Sequence, residues 1–174
     1  MTIEKAAQIR VGDQLPQGSL AEYCEVATGT CSIGPNTFNT AELAKNKTIA
    51  IFGLPGAFTP TCSAQHLPGY AALSEKFKAA GVDEIWCISV NDAFVMGAWG
   101  RDQKVTNMVR MMADGNADFS RALGLDADFS KFGMGVRSQR YSMLVVNNIV
   151  KQLNVEQGGK FEVSNAETLL AQLS

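Results

Sequence analysis

Two continuous apolar runs constrain this chain more than any other feature of it. The segments 48-TIAIFGL-54 and 84-EIWCISV-90 lack the polar/apolar alternation of a half-exposed strand, so each reads as a strand covered on both faces. Residues 60–81 between them carry helical spacing at Leu73 and Phe77 and a stop at Gly81, giving a strand, helix, strand unit with buried parallel strands. Pro68 and Gly69 in the middle predict a kinked helix or two abutting ones.

The alternation continues with a helix near 92–103, a short strand at 109–113 and a short helix near 117–124, which makes the chain α/β. The end reads as a hairpin over 141–155 turning at Asn147-Asn148, then an amphipathic helix over 165–173. A β-α-β half joined to a β-β-α half is the thioredoxin-like order. Before residue 48 the pattern is weaker: a strand near 20–26, a loop over 28–36 and a short helix around 40–46. There is no repeat, low-complexity segment or long linker. With 174 residues, 46% of them apolar, the expectation is one core and a single domain spanning 1–174.

The formal charge is only -2 and no basic block is present, which argues against nucleic-acid binding. No apolar run approaches the roughly 18 to 20 residues of a membrane span. Glu4, Lys5 and Arg10 stand where a secretory signal would be apolar, so a cytoplasmic protein is expected. Four cysteines, at 24, 31, 62 and 87, are too few for a disulfide-stapled scaffold; in a reducing compartment they are free, catalytic or metal-bound. With no CxxC and a single histidine, His66, no metal site is expected, and the exchange chemistry of a CxxC disulfide oxidoreductase is excluded.

The chemistry concentrates in 53-GLPGAFTPTCS-63, directly after a buried strand and at the opening of a helix, where α/β folds place reactive groups. Thr59 before Pro60 reads as an N-cap followed by the first helical residue, which puts Cys62 in the first turn. There the sulfur faces unpaired N–H groups and the positive end of the helix dipole, so Cys62 is the reactive cysteine. His66, four residues on, shares its face on a regular helix. A Cys/His hydrolase pair would need it as general base, but nothing in the sequence orients it and Leu67-Pro68 disturbs the helix, so a structural role is favoured over electrostatic help to the thiol.

Pro55, Thr59 and Cys62 form a PxxxTxxC pattern inside PGAFTPTCSAQHLPGY, and in this the chain resembles the peroxiredoxins of the type II, peroxiredoxin-5-like subfamily. The resemblance continues through 81-GVDEIWCISVNDAFVMGAWG-100, 133-GMGVRSQRYSM-143 and 153-LNVEQGGKFEVS-164. It implies a thioredoxin-like fold with the peroxiredoxin N-terminal extension and insertion, and a thiol peroxidase without metal or prosthetic group. Hydrogen peroxide and alkyl hydroperoxides would be reduced through a Cys62 sulfenic acid, which Pro55 would shield from over-oxidation. The RYSM match assigns the family's distant arginine to Arg140, although Arg137 stands nearby.

The resemblance further implies recycling by glutathione, with glutaredoxin, or alternatively by thioredoxin, and a homodimer. Cys87 is either a core residue or a resolving thiol reached through local unfolding. A resolving cysteine in the C-terminal region is excluded, since 160-KFEVSNAET-168 has none. Cys24 and Cys31 read as structural or incidental, and the stripe Phe94, Met96 and Trp99 as core or as dimer contact. A redox sensor or holdase using the same cysteine is the rival function.

A helix end contributes about 2 kcal/mol at best toward a thiolate, so a cation is also required. For any thiol, a pKa lowered by about 2.5 units gains about 30-fold in thiolate at neutral pH but loses about 13-fold in nucleophilicity. Fast peroxide reduction must therefore rest mainly on donors, expected from Thr59, the Cys62 amide and Arg140, that hold the peroxide oxygens in the transition state.

Overall fold

The computed structural model describes residues 4–173. Its centre is a seven-stranded sheet built from β1 (Ser19–Cys24), β2 (Gly34–Asn39), β3 (Thr48–Leu54), β4 (Glu84–Ser89), β5 (Arg110–Ala113), β8 (Tyr141–Val146) and β9 (Ile149–Val155), in the order β2-β1-β5-β4-β3-β8-β9. β6 (Asp126–Asp128) and β7 (Val136–Ser138) pair separately. The two apolar runs are central and parallel, with Phe52 opposite Cys87 in register. Parallel β5 and antiparallel β8 flank them, so neither run has a free edge, and apolar cores cover both faces.

The covering follows the period of two along a strand. Ile49 and Ile51 face one core with Trp86, Ile88, Phe119 and Met143, whereas Ala50, Phe52 and Leu54 face the other with Cys62, Tyr70, Cys87 and Trp99. Gly53 is where the chain comes close to Tyr141: a Cβ there would lie 2.1 Å from the ring. No side chain larger than hydrogen fits as β3 turns into the loop 55–59.

Helices α1 (Thr40–Ala44), α2 (Leu67–Ala72), α3 (Ser74–Ala79), α4 (Ala93–Gln103), α5 (Asp118–Ala122) and α6 (Ala166–Ala171) agree with the expected positions. Asp92 and Asn165 cap α4 and α6 by accepting from Val95 and Thr168 N–H. The hairpin turns at Asn147 and Asn148, both at positive φ (45° and 68°). The expected break in 60–81 is present, but at Leu73 (φ -100°, ψ 8°) rather than at Pro68, which stands in the first turn of α2 where the π turn Cys62–His66 runs into it.

Three expectations need correction. The loop expected over 28–36 ends in β2, which pairs antiparallel with β1; Pro35 is tolerated because β2 is an edge strand. β6 and β7 were not expected, because three residues are too few to show a period. Cys24 and Cys31 are not free: a disulfide joins them, with Cα atoms 6.4 Å apart. Among the described residues no helix is long and apolar enough to cross a membrane.

Candidate active site

β3 delivers the chain into the loop 55–59, and Ser63 N–H donates to Thr59 O at 2.9 Å, so the helix begins as expected with Cys62 in its first turn. From Cys62 to His66 the helix widens to a π turn before α2. Thr59 caps by its backbone alone. Its hydroxyl donates to Gly56 O at 2.7 Å, which commits the hydrogen expected to serve as a donor toward substrate and leaves the oxygen's lone pairs free to accept. Two outside groups brace the loop: Asn91 Oδ1 accepts from Ala57 N–H (3.0 Å), and Arg137 donates to Pro55 O (3.3 Å).

Cys62 is completely covered, and the cation beside it comes from the opposite end of the sequence. Arg140, just before β8, donates from Nη2 to Cys62 Sγ at 3.4 Å. Nη1 of the same guanidinium lies 3.0 Å from His66 Nδ1. The other ring nitrogen, Nε2, lies 3.1 Å from Ser164 O. A carbonyl can only accept, so Nε2 carries the hydrogen and Nδ1 presents its lone pair to Arg140. Burial first, and the Arg140 charge second, hold the imidazole neutral with a pKa lowered to about 3. His66 is therefore the acceptor that orients Arg140, with both nitrogens occupied, and cannot serve as a hydrolase base.

The sequence supplied no residue to orient His66, and the structure supplies it in the segment after β9. Glu156 Oε1 accepts from the N–H groups of Glu162 (2.7 Å), Val163 (2.7 Å) and Ser164 (2.8 Å), and from Ser164 Oγ (2.9 Å). Burial opposes ionisation of this carboxyl, but the bonds from Ser164, Val163 and Glu162 outweigh it and hold its pKa below the usual value. So fixed, Ser164 O receives both His66 Nε2 and the Tyr70 hydroxyl (2.9 Å). Glu156 N–H also donates to Arg140 O at 2.9 Å, and Phe161 covers both His66 and Arg140, with a ring separation of 5.0 Å and a guanidinium distance of 5.8 Å. Of these residues the sequence points to Arg140 and His66 but not to Tyr70, Glu156, Phe161 or Ser164. The one visible signal of the others is a lone histidine one helical turn past Cys62.

Cys87 lies on the same side of the sheet as Cys62, is fully buried in the middle of β4, and has its thiol pKa pushed up by burial and by proximity to Cys62. The stripe on α4 divides: Met96 and Trp99 are core, while Phe94 is 63% exposed. Trp99 Nε1–H donates to Ser63 Oγ at 3.0 Å, tying α4 to the residue after Cys62. Among the described residues no group of three or more His, Cys, Asp and Glu side chains could hold a metal ion.

A buried thiol at a helix start, in contact with a guanidinium that is itself held by a neutral imidazole, is equipped to attack an electrophile and to stabilise the developing negative charge. Comparison with known proteins agrees. The Redoxin family model matches residues 10–170. Peroxiredoxin-2D of Arabidopsis thaliana is 42% identical over 167 residues, covering 96% of this chain and 99% of its own.

The chain belongs to the redoxin family, as a peroxiredoxin. Hybrid peroxiredoxin hyPrx5 of Haemophilus influenzae is 48% identical over 138 residues, covering 78% of this chain and 57% of its own. The structure of reduced Prx3 from Vibrio vulnificus in complex with hydrogen peroxide is 47% identical, covers 96% of this chain and 100% of its own, and superposes with a TM-score of 0.88. These relatives place this peroxiredoxin with the type II, peroxiredoxin-5-like members. It has the expected thioredoxin-like fold and is a thiol-dependent peroxidase, an oxidoreductase that consumes peroxide at the expense of a thiol reductant.

Proposed function

We propose that Cys62 is the peroxidatic thiol of this peroxiredoxin and that its cycle uses one cysteine. The observation that carries this is the 3.4 Å contact from Arg140 Nη2 to Cys62 Sγ. The Cys62 thiolate attacks one peroxide oxygen, the O–O bond breaks, and water or an alcohol leaves with a proton, so that sulfur is oxidised to sulfenic acid and the peroxide is reduced. Arg140 and the Cys62 amide stabilise the oxygen that gains charge. Thr59, whose hydrogen is held by Gly56, accepts a hydrogen bond from the peroxide. Pro55, braced by Arg137, walls the pocket.

Hydrogen peroxide as substrate is supported by the Vibrio vulnificus relative, which was solved with that molecule; alkyl hydroperoxides belong to the same proposal. Glutathione, delivered with glutaredoxin, reduces the sulfenate, and thioredoxin is the alternative reductant. The burial of Cys87 in a central strand supports a core role for it and leaves the sulfenate to an external thiol. No metal or prosthetic group enters the cycle. A homodimer is proposed through the face carrying Phe58 and Phe94, which are 54% and 63% exposed. A cytoplasmic setting fits the need for a reduced thiol pool.

Intact mass after one equivalent of hydrogen peroxide, with no other thiol present, tests the cycle. The expected product is one oxygen heavier and is trapped by a sulfenate reagent at Cys62. Cys62→Ser should neither gain the oxygen there nor turn over, and wild-type turnover in that variant would overturn the assignment.

A further inference from the structure

The tip of the β1–β2 hairpin holds a second pair of sulfurs that the peroxide chemistry does not use. Strand pairing ends at Cys24 opposite Gly34, and within residues 25–33 Thr28 and Cys31 form an isolated bridge, with Thr28 N–H donating to Cys31 O at 2.8 Å. This turn folds Cys31 back over the end of β1. The resulting Cα separation, 6.4 Å, lies inside the roughly 4.4 to 6.8 Å range a disulfide spans.

The surroundings of the pair are unlike those of the other two cysteines. Cys62 and Cys87 are fully buried, whereas Cys24 and Cys31 are half-buried at the surface. Cys31 lines an open cleft of about 620 Å³, together with Thr28, Thr30, Phe38, Lys47 and Arg110. Cys24 follows the lining residue Glu22 on one face of β1, opposite the face by which Tyr23 packs on Gly97 of α4, but is not itself among the residues that line the cleft. The two sulfurs are therefore inequivalent, and the one open to a small molecule is Cys31. The disulfide closes only a short loop, and the β1–β2 ladder holds the hairpin without it, so opening the bond does not require unfolding.

We infer that Cys24 and Cys31 form a reversible dithiol/disulfide couple separate from Cys62, reduced by a low-molecular-weight thiol that enters the cleft and attacks Cys31. In that step the thiolate bonds to Cys31 Sγ, the Cys24–Cys31 bond breaks, and Cys24 leaves as a thiolate that takes up a proton. A second thiol attacks the mixed disulfide, releasing Cys31 and the oxidised small disulfide. Two small thiols are oxidised and the protein disulfide is reduced to two thiols. In the reverse direction the oxidant is peroxide, the enzyme's own substrate. One thiolate becomes a sulfenic acid as water or an alcohol leaves, and the other displaces water from it.

The test uses the full chain carrying Cys62→Ser, which removes the proposed peroxide site, so its outcome is separate from that assignment. The protein is treated with hydrogen peroxide or with millimolar glutathione, quenched in acid, denatured and alkylated. Of the three cysteines left in this variant, one (Cys87) should be alkylated after peroxide and all three after glutathione. Alkylation of Cys24 and Cys31 after peroxide overturns the couple. A bond that persists in glutathione but opens in denaturant with dithiothreitol overturns its reversibility. Acid quenching early in the reduction by glutathione, followed by alkylation and peptide mapping, tests the direction. The mixed disulfide should be found on Cys31 with Cys24 alkylated, and glutathione on Cys24, or on both alike, overturns the assignment of Cys31 as the attacked sulfur.

Discussion

Arg140 divides its guanidinium between two partners, donating from Nη1 to His66 Nδ1 at 3.0 Å and from Nη2 to Cys62 Sγ at 3.4 Å. The imidazole lone pair fixes the plane of the fork, and the plane fixes which nitrogen meets the sulfur. A lysine has no rigid fork and cannot hold both contacts in one geometry. Arg140→Lys should therefore lower kcat/KM for hydrogen peroxide at least about tenfold while the protein stays folded, as read by peroxide consumption and circular dichroism.

Replacing His66 by leucine should remove the acceptor for Nη1 and cost about 1.5 to 3 kcal/mol of transition-state stabilisation, or roughly 10- to 150-fold in kcat/KM. The same residue sets an acid limit on the fold. Its pKa is about 3 when folded, against about 6.5 when unfolded, so between those values the unfolded chain binds more protons. Its contribution to stability is fully present above about pH 6.5 and falls on acidification, by at most about 1.4 kcal/mol per pH unit. Urea midpoints at pH 7, 6 and 5 should fall in the wild type, and that decline should be shallower in His66→Leu.

Glu156→Gln keeps an acceptor in place but removes the charge that four donors share. The expected loss is about 2 to 3 kcal/mol, read as a drop in Tm of about 5 to 10 °C. Since the folded pKa of Glu156 is lowered, its stabilisation is present above the unfolded carboxylate value near 4.3 and is lost as pH falls through the folded value. Activity should fall less than in Arg140→Lys, because Glu156 acts on the sulfur only through Ser164, His66 and Arg140.

Cys87→Ala should leave glutathione-dependent turnover within about twofold of wild type, at a cost of about 1 kcal/mol in urea stability from the small void left in the core. Loss of turnover, with the sulfenate accumulating at Cys62, would instead make Cys87 the resolving thiol.

The parts of this molecule legible in the sequence are those carried by local patterns. TIAIFGL and EIWCISV are strands because, past Thr48 and Glu84 at their first positions, almost nothing in them is polar enough to face water, and Thr59-Pro60 starts a helix wherever the surrounding fold puts it. β2 was missed because Pro35 argues against a strand in general, and only its place at the sheet edge makes the proline acceptable. The Cys24–Cys31 bond was missed because the turn at Thr28 to Cys31 that brings the sulfurs together has no helical or strand period to announce it.

For the site, the sequence by itself determined where the proposed nucleophile sits: the helix start at Cys62 follows from the residues immediately around it, whose effect is short-ranged. Only the tertiary structure decided what surrounds that sulfur. Arg140, Ser164 and Glu156 lie 78, 102 and 94 positions away in the chain, and Arg140 rather than Arg137 meets Cys62 because of where the chain enters β8 beside β3. His66 shows the division most clearly. Its helical spacing placed it near Cys62, but its neutrality and the identity of its protonated nitrogen come from burial and from a carbonyl 98 residues away. Charge and hydrogen-bond direction in a core depend on everything packed around a group, and that is a property of the folded chain.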